Sequence, residues 1–197
     1  MSAKRALSRE DILPVEQYAR ERAERRRQSA ALKRNRRIEV RPFATFYFEN
    51  FATMWQQVHE MLYIERGGEA QIEDELRAYN PLIPKGSELV ATVMFEIDDP
   101  LRRASVLARL GGIENCLFID VGSERIRGVP EEDRENTRED DDKASSVQFV
   151  HFPFTAALKA RFATPGTQIL VGFDHPNYGH LAVMPETVRA ALTEDFD

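Results

Sequence analysis

The sequence contains a single cysteine, Cys116, and no long apolar run. One cysteine cannot form a disulfide within the chain, and it excludes zinc or iron–sulfur sites built from several cysteines of one chain. The apolar runs are shorter than the ~20 residues that a membrane-spanning helix needs. From Lys4 onward the N-terminus is charged and lacks the apolar segment of a secretory signal. We therefore expect a cytoplasmic protein with no part inside a membrane.

The sequence also lacks the common catalytic motifs. It contains no G-x-S-x-G, P-loop, G-x-G-x-x-G or H-E-x-x-H pattern. The segment "HEMLYIER", from His59 to Arg66, matches neither the E-x-x-H nor the H-E-x-x-H pattern, which place glutamate and histidine together on one face of a helix as metal-binding residues. The absence of these motifs leaves open whether the chain is an enzyme. Any catalytic site would have to be formed by residues that are distant in sequence and that the fold brings together.

Charge is distributed unevenly along the chain. The formal net charge is −6, but residues 20–37 carry nine Lys and Arg against two Glu, and the segment Glu131–Asp142 carries eight acids against two arginines. The body of the chain is therefore acidic and its N-terminal segment basic. We predict an N-terminal basic helical arm at residues 1–37 and a single domain at 38–197, with an acidic loop at 131–143.

Apolar periodicity alternates between that of strands and that of helices. In residues 88–97 one face is wholly apolar, and Val90, Thr92 and Met94 make the other face half apolar, as in a strand covered on both sides. Residues 51–66 instead carry an apolar stripe at helical spacing. Many strand connections are too short for a crossover helix. The sequence predicts an α+β fold, with a mostly antiparallel sheet packed by several helices.

The stretch "VGFDHPNYGH" places Asp174, His175 and His180 between two predicted strands. Pro-Asn followed by Gly179 is typical of a turn, and Asp174 is suited to bond backbone amides across it. This favours a structural hairpin tip. The alternative makes Asp174 and His175 metal ligands or an acid–base pair, although the H-x3-H spacing of a helical zinc pair is absent. His180 lies on the outgoing strand and is left out of the candidate site.

Glu65 falls within the apolar stripe of the helix at residues 51–66. A carboxylate that faces a core needs a partner or a metal, because burying an isolated charge is very unfavourable. The alternative is that the last helical turn has already emerged into water. Glu65, Asp174 and His175 are therefore the candidate catalytic residues, and Glu65 and His175 are candidate ligands of a divalent metal.

The basic arm is a candidate phosphate-binding element, since several Lys and Arg side chains there could each contact a phosphate. It lacks the interleaved aromatic residues that stack on bases, and the rest of the chain is acidic. A solvated helix fits the composition better, as does a helix docked on the acidic loop of the same chain or of a neighbouring chain in a homo-oligomer. Nucleic-acid binding is therefore the least favoured interpretation.

Four segments resemble an uncharacterised bacterial family, domain of unknown function 3501: "SREDILPVEQYARERAERR", "VHEMLYIER", "ELRAYNPLIPKGSELVATVMFEI" and "GFDHPNY". The resemblance covers nearly the whole chain and implies no catalytic residues, because the family has no established activity. It implies a neighbourhood of genes for rubrerythrin-like proteins and iron–sulfur oxidoreductases, and hence a redox partner. The family's motif positions fall here on Glu60, Glu65, Asn80, Asp174, His175 and Tyr178.

Two of these motif positions, Asn80 and Tyr178, are candidate binding residues beside the three candidate catalytic residues. Arg66, which could pair with a buried acid, is a third candidate binding residue. In "SSVQFVHF" the chain departs from the resemblance, with Gln148 where histidine is common and His151 where arginine is common. From its strand position alone, His151 is best interpreted as a core histidine with satisfied hydrogen bonds. The departure weakens any scheme in which this strand supplies a metal ligand.

Three functions remain as hypotheses. The favoured one is a non-catalytic accessory protein in redox or peroxide metabolism that binds a partner through its charged segments. The second is a metal-dependent or acid–base enzyme in which Glu65, Asp174 and His175 converge. The third is nucleic-acid binding through residues 20–37.

Overall fold

The computed structural model describes residues 4–131 and 143–197. Most of the predicted acidic loop at 131–143 therefore lies outside the described residues. The helices are α1 Val15–Arg34, α2 Phe51–Glu65, α3 Glu69–Tyr79, α4 Pro100–Leu107, α5 Ala156–Ala163 and α6 Glu186–Thr193. The strands are β1 Arg37–Val40, β2 Ala44–Phe48, β3 Glu88–Phe95, β4 Leu117–Val121, β5 Glu124–Arg127, β6 Val129–Pro130, β7 Val147–Pro153, β8 Ile169–Phe173 and β9 Leu181–Val183.

The strands form two antiparallel sheets. The first has the order β1-β2-β3-β7-β6 and the second the order β5-β4-β8-β9. In the first sheet Tyr47 pairs with Thr92, which in turn pairs with Phe149, so these three side chains lie in one row across β2, β3 and β7. The predicted α+β class with antiparallel pairing is confirmed, and the structure divides the strands between two sheets.

The main core lies between the inner faces of the two sheets. Phe46 of β2 and Phe95 of β3 both contact Phe173 of β8, with ring centroids 5.2 and 5.8 Å apart. Helices α5 and α6 pack against the same core through Phe162 and Leu192, which are fully buried. Alternation of apolar residues along the strands supplies this interface, because every second side chain points to the same face.

A second, smaller core lies on the outer face of the five-stranded sheet, where α2 and α3 cover Val90 of β3. Helix α1 packs on α2 through Tyr18, which is 1% exposed. The Tyr18 hydroxyl donates to the carboxylate of Glu60, 2.6 Å away, and Arg22 forms two hydrogen bonds to the same carboxylate. Tyr18 is the buried residue of α1, and exposed residues occur along the whole length of the helix. In the described part of the chain no helix combines the length and apolarity that crossing a membrane requires.

The ends of α1 and α6 meet at a buried ion pair. Arg36 and Asp195 contact each other and are 3% and 6% exposed. The Arg36 guanidinium also donates to the backbone carbonyls of Phe48 and Glu49, each 3.0 Å away. One side chain thus joins the end of β2 to the C-terminal helix. A buried pair of this kind depends on both partners, because either charge alone is strongly destabilised.

We predict that Asp195→Asn lowers the free energy of unfolding by about 3 kcal/mol, because the Arg36 charge then lacks its counter-charge in a buried position. Asp197→Asn is the matched control, since Asp197 pairs with Arg5 but its side chain is 59% exposed. Surface pairs contribute less than about 1 kcal/mol. Urea denaturation measures both changes. Equal losses in the two variants would contradict the central role of the buried pair.

Candidate functional site

The hairpin tip between β8 and β9 uses its polar residues for internal contacts. The Asp174 carboxylate accepts a hydrogen bond from Arg125 at 3.2 Å and forms an ion pair with Arg127, with the charged atoms 2.5 Å apart. The Nε2 atom of His175 lies 3.1 Å from the carbonyl oxygen of Gly111, and its Nδ1 atom accepts the backbone N–H of Asn177 at 3.1 Å. Both ring nitrogens of His175 are therefore engaged, and the residue is 8% exposed. This arrangement suits a structural turn.

Tyr178 attaches the same turn to the β1–β2 connection. Its hydroxyl accepts the backbone N–H groups of Phe43 and Ala44, both at 2.9 Å, and donates to the carbonyl of Val40 at 2.7 Å. Burial raises the pKa of this phenol, so it stays a hydrogen-bond donor. One buried hydroxyl thus satisfies three backbone groups and holds the hairpin against the first sheet.

Glu65 does not face the core: of its two interpretations, the structure agrees with the one in which the last helical turn has emerged into water. Glu65 is exposed at the last turn of α2, where the apolar stripe has already ended, and it accepts a hydrogen bond from Gln71 at 2.7 Å. Arg66 ends the helix in a left-handed conformation, with φ of 56°, and is exposed. The helical wheel assumed a partner surface along the whole length of α2, and the covering elements do not extend that far.

Asn80 has a structural contact as well. Its side-chain oxygen accepts the backbone N–H of Leu7 at 2.7 Å, and its amide donates to the carbonyl of the same residue at 3.0 Å. It therefore fixes the N-terminal segment on the end of α3. Glu65 and His175 share no partner, and within the described residues no group of three or more His, Cys, Asp or Glu is arranged to hold a metal ion.

His151 lies between two carboxylates on the outer face of the first sheet. Its Nδ1 atom is 2.9 Å from Glu88 and its Nε2 atom 2.7 Å from Glu131. The hydrogen bond and charge of Glu88 raise the pKa of His151. Burial raises the pKa of Glu88, but the hydrogen bond and charge of His151 outweigh it, so the net direction is downward. The trio is a charged cross-strand network, which explains how a polar residue occupies this strand position.

A cavity of about 190 Å³ lies between the outer face of the first sheet and the helices. The sheet and helices supply apolar walls on several sides, and a few polar groups converge on the same space, which is the usual composition of a small-molecule site. The lining residues are Lys33, Tyr47, Glu49, Met54, Gln57, Tyr79, Leu82, Thr92, Met94, Val147 and Phe149.

Glu49 is the distinctive residue of this cavity. It is 5% exposed and connects β2 to α2. One carboxylate oxygen accepts the hydroxyl of Thr92 at 2.8 Å. Among the described residues, no cation forms an ion pair with Glu49, although Lys33 lines the same cavity. Glu49 has no distinctive sequence motif, but the half-apolar outer face of β3, with Thr92 and Met94, indicates that this face is covered.

The outer face of α1 is a second candidate surface. Arg20, Arg27 and Arg34 recur at intervals of seven residues and are all exposed. Seven residues correspond to about 10 Å along a helix and to nearly two full turns, so the three side chains form one row. Arg27 pairs with Glu24 on the same helix. We call this row the α1 arginine row.

Comparisons with known proteins agree with this architecture. A family model described as "Protein of unknown function (DUF3501)" matches residues 6–196. A crystal structure of a novel protein of unknown function from Burkholderia pseudomallei K96243 superposes with a TM-score of 0.89 and 35% sequence identity, covering 98% of this chain and 100% of that chain. A search of curated proteins found no match.

We predict a pH-dependent stability that depends on His151. Its raised pKa means that its contribution is complete below the ordinary histidine pKa of 6.5 and is lost as the pH rises through the folded-state value. The lowered pKa of Glu88 means that its contribution is present above about pH 4.3 and is lost at more acidic pH. In His151→Gln, the loss of stability between pH 6 and pH 9 should shrink by about 1 kcal/mol. Urea denaturation across this range tests it, and an unchanged slope would contradict it.

We predict that Tyr178→Phe lowers the free energy of unfolding by about 2–4 kcal/mol, because two backbone N–H groups and one carbonyl lose their buried partner. Tyr63→Phe is the control, since the Tyr63 hydroxyl bonds no described residue and its loss should change stability by less than about 0.5 kcal/mol. Chemical denaturation compares the two. A Tyr178→Phe variant as stable as the control would show that this hydroxyl is free for another role.

Proposed function

This chain belongs to DUF3501, a family of proteins of unknown function, and we propose that it is a non-catalytic accessory protein that binds a partner protein through the α1 arginine row. The observation that carries the proposal is the exposure of Arg20, Arg27 and Arg34 in one row on a helix whose opposite side is fixed to α2 by Tyr18. A cationic row on an anchored helix is suited to an acidic surface.

The charge layout favours a protein over a nucleic acid. The body of the chain is acidic, so it repels an extended polyphosphate that runs beyond α1. Between its arginines the outer face of α1 carries Ala23, Glu24 and Ala31 and no aromatic side chain. Small residues allow a partner helix to approach closely, whereas binding of single-stranded nucleic acid uses aromatic stacking.

The contacts at the hairpin tip favour this proposal over the enzyme hypothesis. Asp174 and His175 already have structural partners, and the exposed carboxylate of Glu65 accepts a hydrogen bond from Gln71, so each of the three side chains is engaged within the protein. The proposed partner is a rubrerythrin-like protein or an iron–sulfur oxidoreductase in the cytoplasm. Support for that choice comes from the gene neighbourhood that the family resemblance implies.

The test is a charge reversal of the α1 arginine row. We predict that the wild-type chain retains a partner protein at low salt and releases it at 0.5 M salt, where the Debye length falls to a few ångström. The variant Arg20→Glu, Arg27→Glu, Arg34→Glu should lose at least ten-fold in affinity for that partner. Affinity capture identified by mass spectrometry, followed by titration of the purified partner, measures this.

The matched control is Arg77→Glu, Arg109→Glu, Lys143→Glu, which changes the net charge equally at exposed positions outside α1. It should bind as the wild type does. If the two triple variants lost binding equally, the loss would be explained by net charge alone, and the proposed role of the α1 arginine row would be wrong. Retention of DNA in place of protein, lost only in the α1 variant, would replace this function with nucleic-acid binding.

A further inference from the structure

We propose that the cavity lined by Glu49 and Lys33 binds a small molecule that carries an ammonium group, a carboxylate and an apolar body, of which an apolar α-amino acid is the simplest class. This site is separate from the α1 arginine row, and the proposal does not depend on a protein partner. It rests on three features of the cavity: an incompletely paired buried carboxylate, an opposite charge that shares the same space, and apolar walls.

The carboxylate of Glu49 calls for a cationic partner. The residue is 5% exposed, its hydrogen bond from Thr92 engages one oxygen, and the other oxygen keeps contact with solvent in the cavity. No described residue donates to the other oxygen. A buried carboxylate is strongly stabilised by a charged donor and poorly stabilised by a single hydroxyl. A ligand ammonium in the cavity would supply that donor.

Lys33 provides the opposite charge. It lies near the C-terminal end of α1, is partly exposed, and lines the same cavity without forming an ion pair with Glu49 or with another described acid. Glu49 and Lys33 carry opposite charges and line the same cavity without forming an ion pair with each other. They are therefore complementary to a ligand that carries one positive and one negative group. In this arrangement the ligand ammonium contacts Glu49 and its carboxylate contacts Lys33.

The walls and volume define the body of the ligand. Met54, Met94, Val147 and Phe149 line the cavity with flexible thioethers, a branched side chain and one aromatic ring. The volume of about 190 Å³ corresponds to about six water molecules at liquid density. A molecule of the size of leucine, methionine or phenylalanine fits this space, and a nucleotide does not.

The position of Glu49 is fixed before any ligand arrives. Its backbone N–H donates to the carbonyl of Val90 at 2.8 Å, and its own carbonyl accepts from Arg36 at 3.0 Å. Thr92, which holds the carboxylate, lies in the middle of β3. A preorganised group loses little conformational entropy on binding, which favours affinity for a small ligand.

Isothermal titration calorimetry of the full chain with L-leucine, L-methionine and L-phenylalanine tests the proposal. At least one should bind with a Kd below about 1 mM, equivalent to about −4 kcal/mol. For leucine the matched probes are 3-methylbutylamine, which lacks the carboxylate, and 4-methylpentanoate, which lacks the ammonium. Glu49→Gln should weaken the amine at least ten-fold and leave the acid unchanged. Lys33→Met should have the reverse effect.

A variant that keeps both charges separates binding in the cavity from a general effect of charge or folding. Val147→Phe should fill the cavity from the sheet side and abolish binding of the amino acid. Val129→Phe is the control, because Val129 is an exposed strand residue that does not line the cavity. The proposal fails if none of the three amino acids binds, if Glu49→Gln binds the amine as tightly as the wild type, or if Val147→Phe binds like its control.

Discussion

The buried ion pair between Arg36 and Asp195 is the interaction on which the rest of the arrangement depends. It lies where α1 ends, where β2 passes into α2, and where the C-terminal helix α6 finishes. Since the guanidinium also holds the backbone of Glu49, the pair fixes both the end of the basic helix and the carboxylate of the cavity. The unfavourable desolvation of two charges is tolerated because each has its partner and Arg36 has carbonyl acceptors as well.

Local patterns predicted the elements well, but they could not show which partners the candidate site residues would have. The alternation in β3 and the helical stripe in α2 are properties of short segments, and both reappear in the structure. The sequence left open whether Glu65 faces the core, because a helical wheel does not show where the covering elements end. Asp174, His175 and Tyr178 were recognised as a distinctive group, but their partners lie at Arg125, Arg127, Gly111 and the turn after Val40, which are distant in sequence. Glu49 could not be recognised as a site residue from the sequence, because its burial depends on how α1, α2 and α3 pack on one face of the sheet.

The two sides of α1 have different contacts. Its inner side carries Tyr18 and Arg22, which bind Glu60 and hold the helix in place, and its last turns place Lys33 at the cavity. Its outer side presents the arginine row. A single helix therefore links the surface proposed for a partner to the cavity proposed for a small ligand. Because the body of the chain is acidic, a negatively charged partner is attracted to the basic helix and repelled by the rest of the surface.

The most direct test of this account is a crystal structure of the full chain grown with the amino acid that binds most tightly. The account predicts electron density in the cavity, with the ligand ammonium within about 3 Å of the Glu49 carboxylate and the ligand carboxylate directed to Lys33. A structure in which Lys33 itself pairs with Glu49 and closes the cavity, with the amino acid bound elsewhere or not at all, would contradict it.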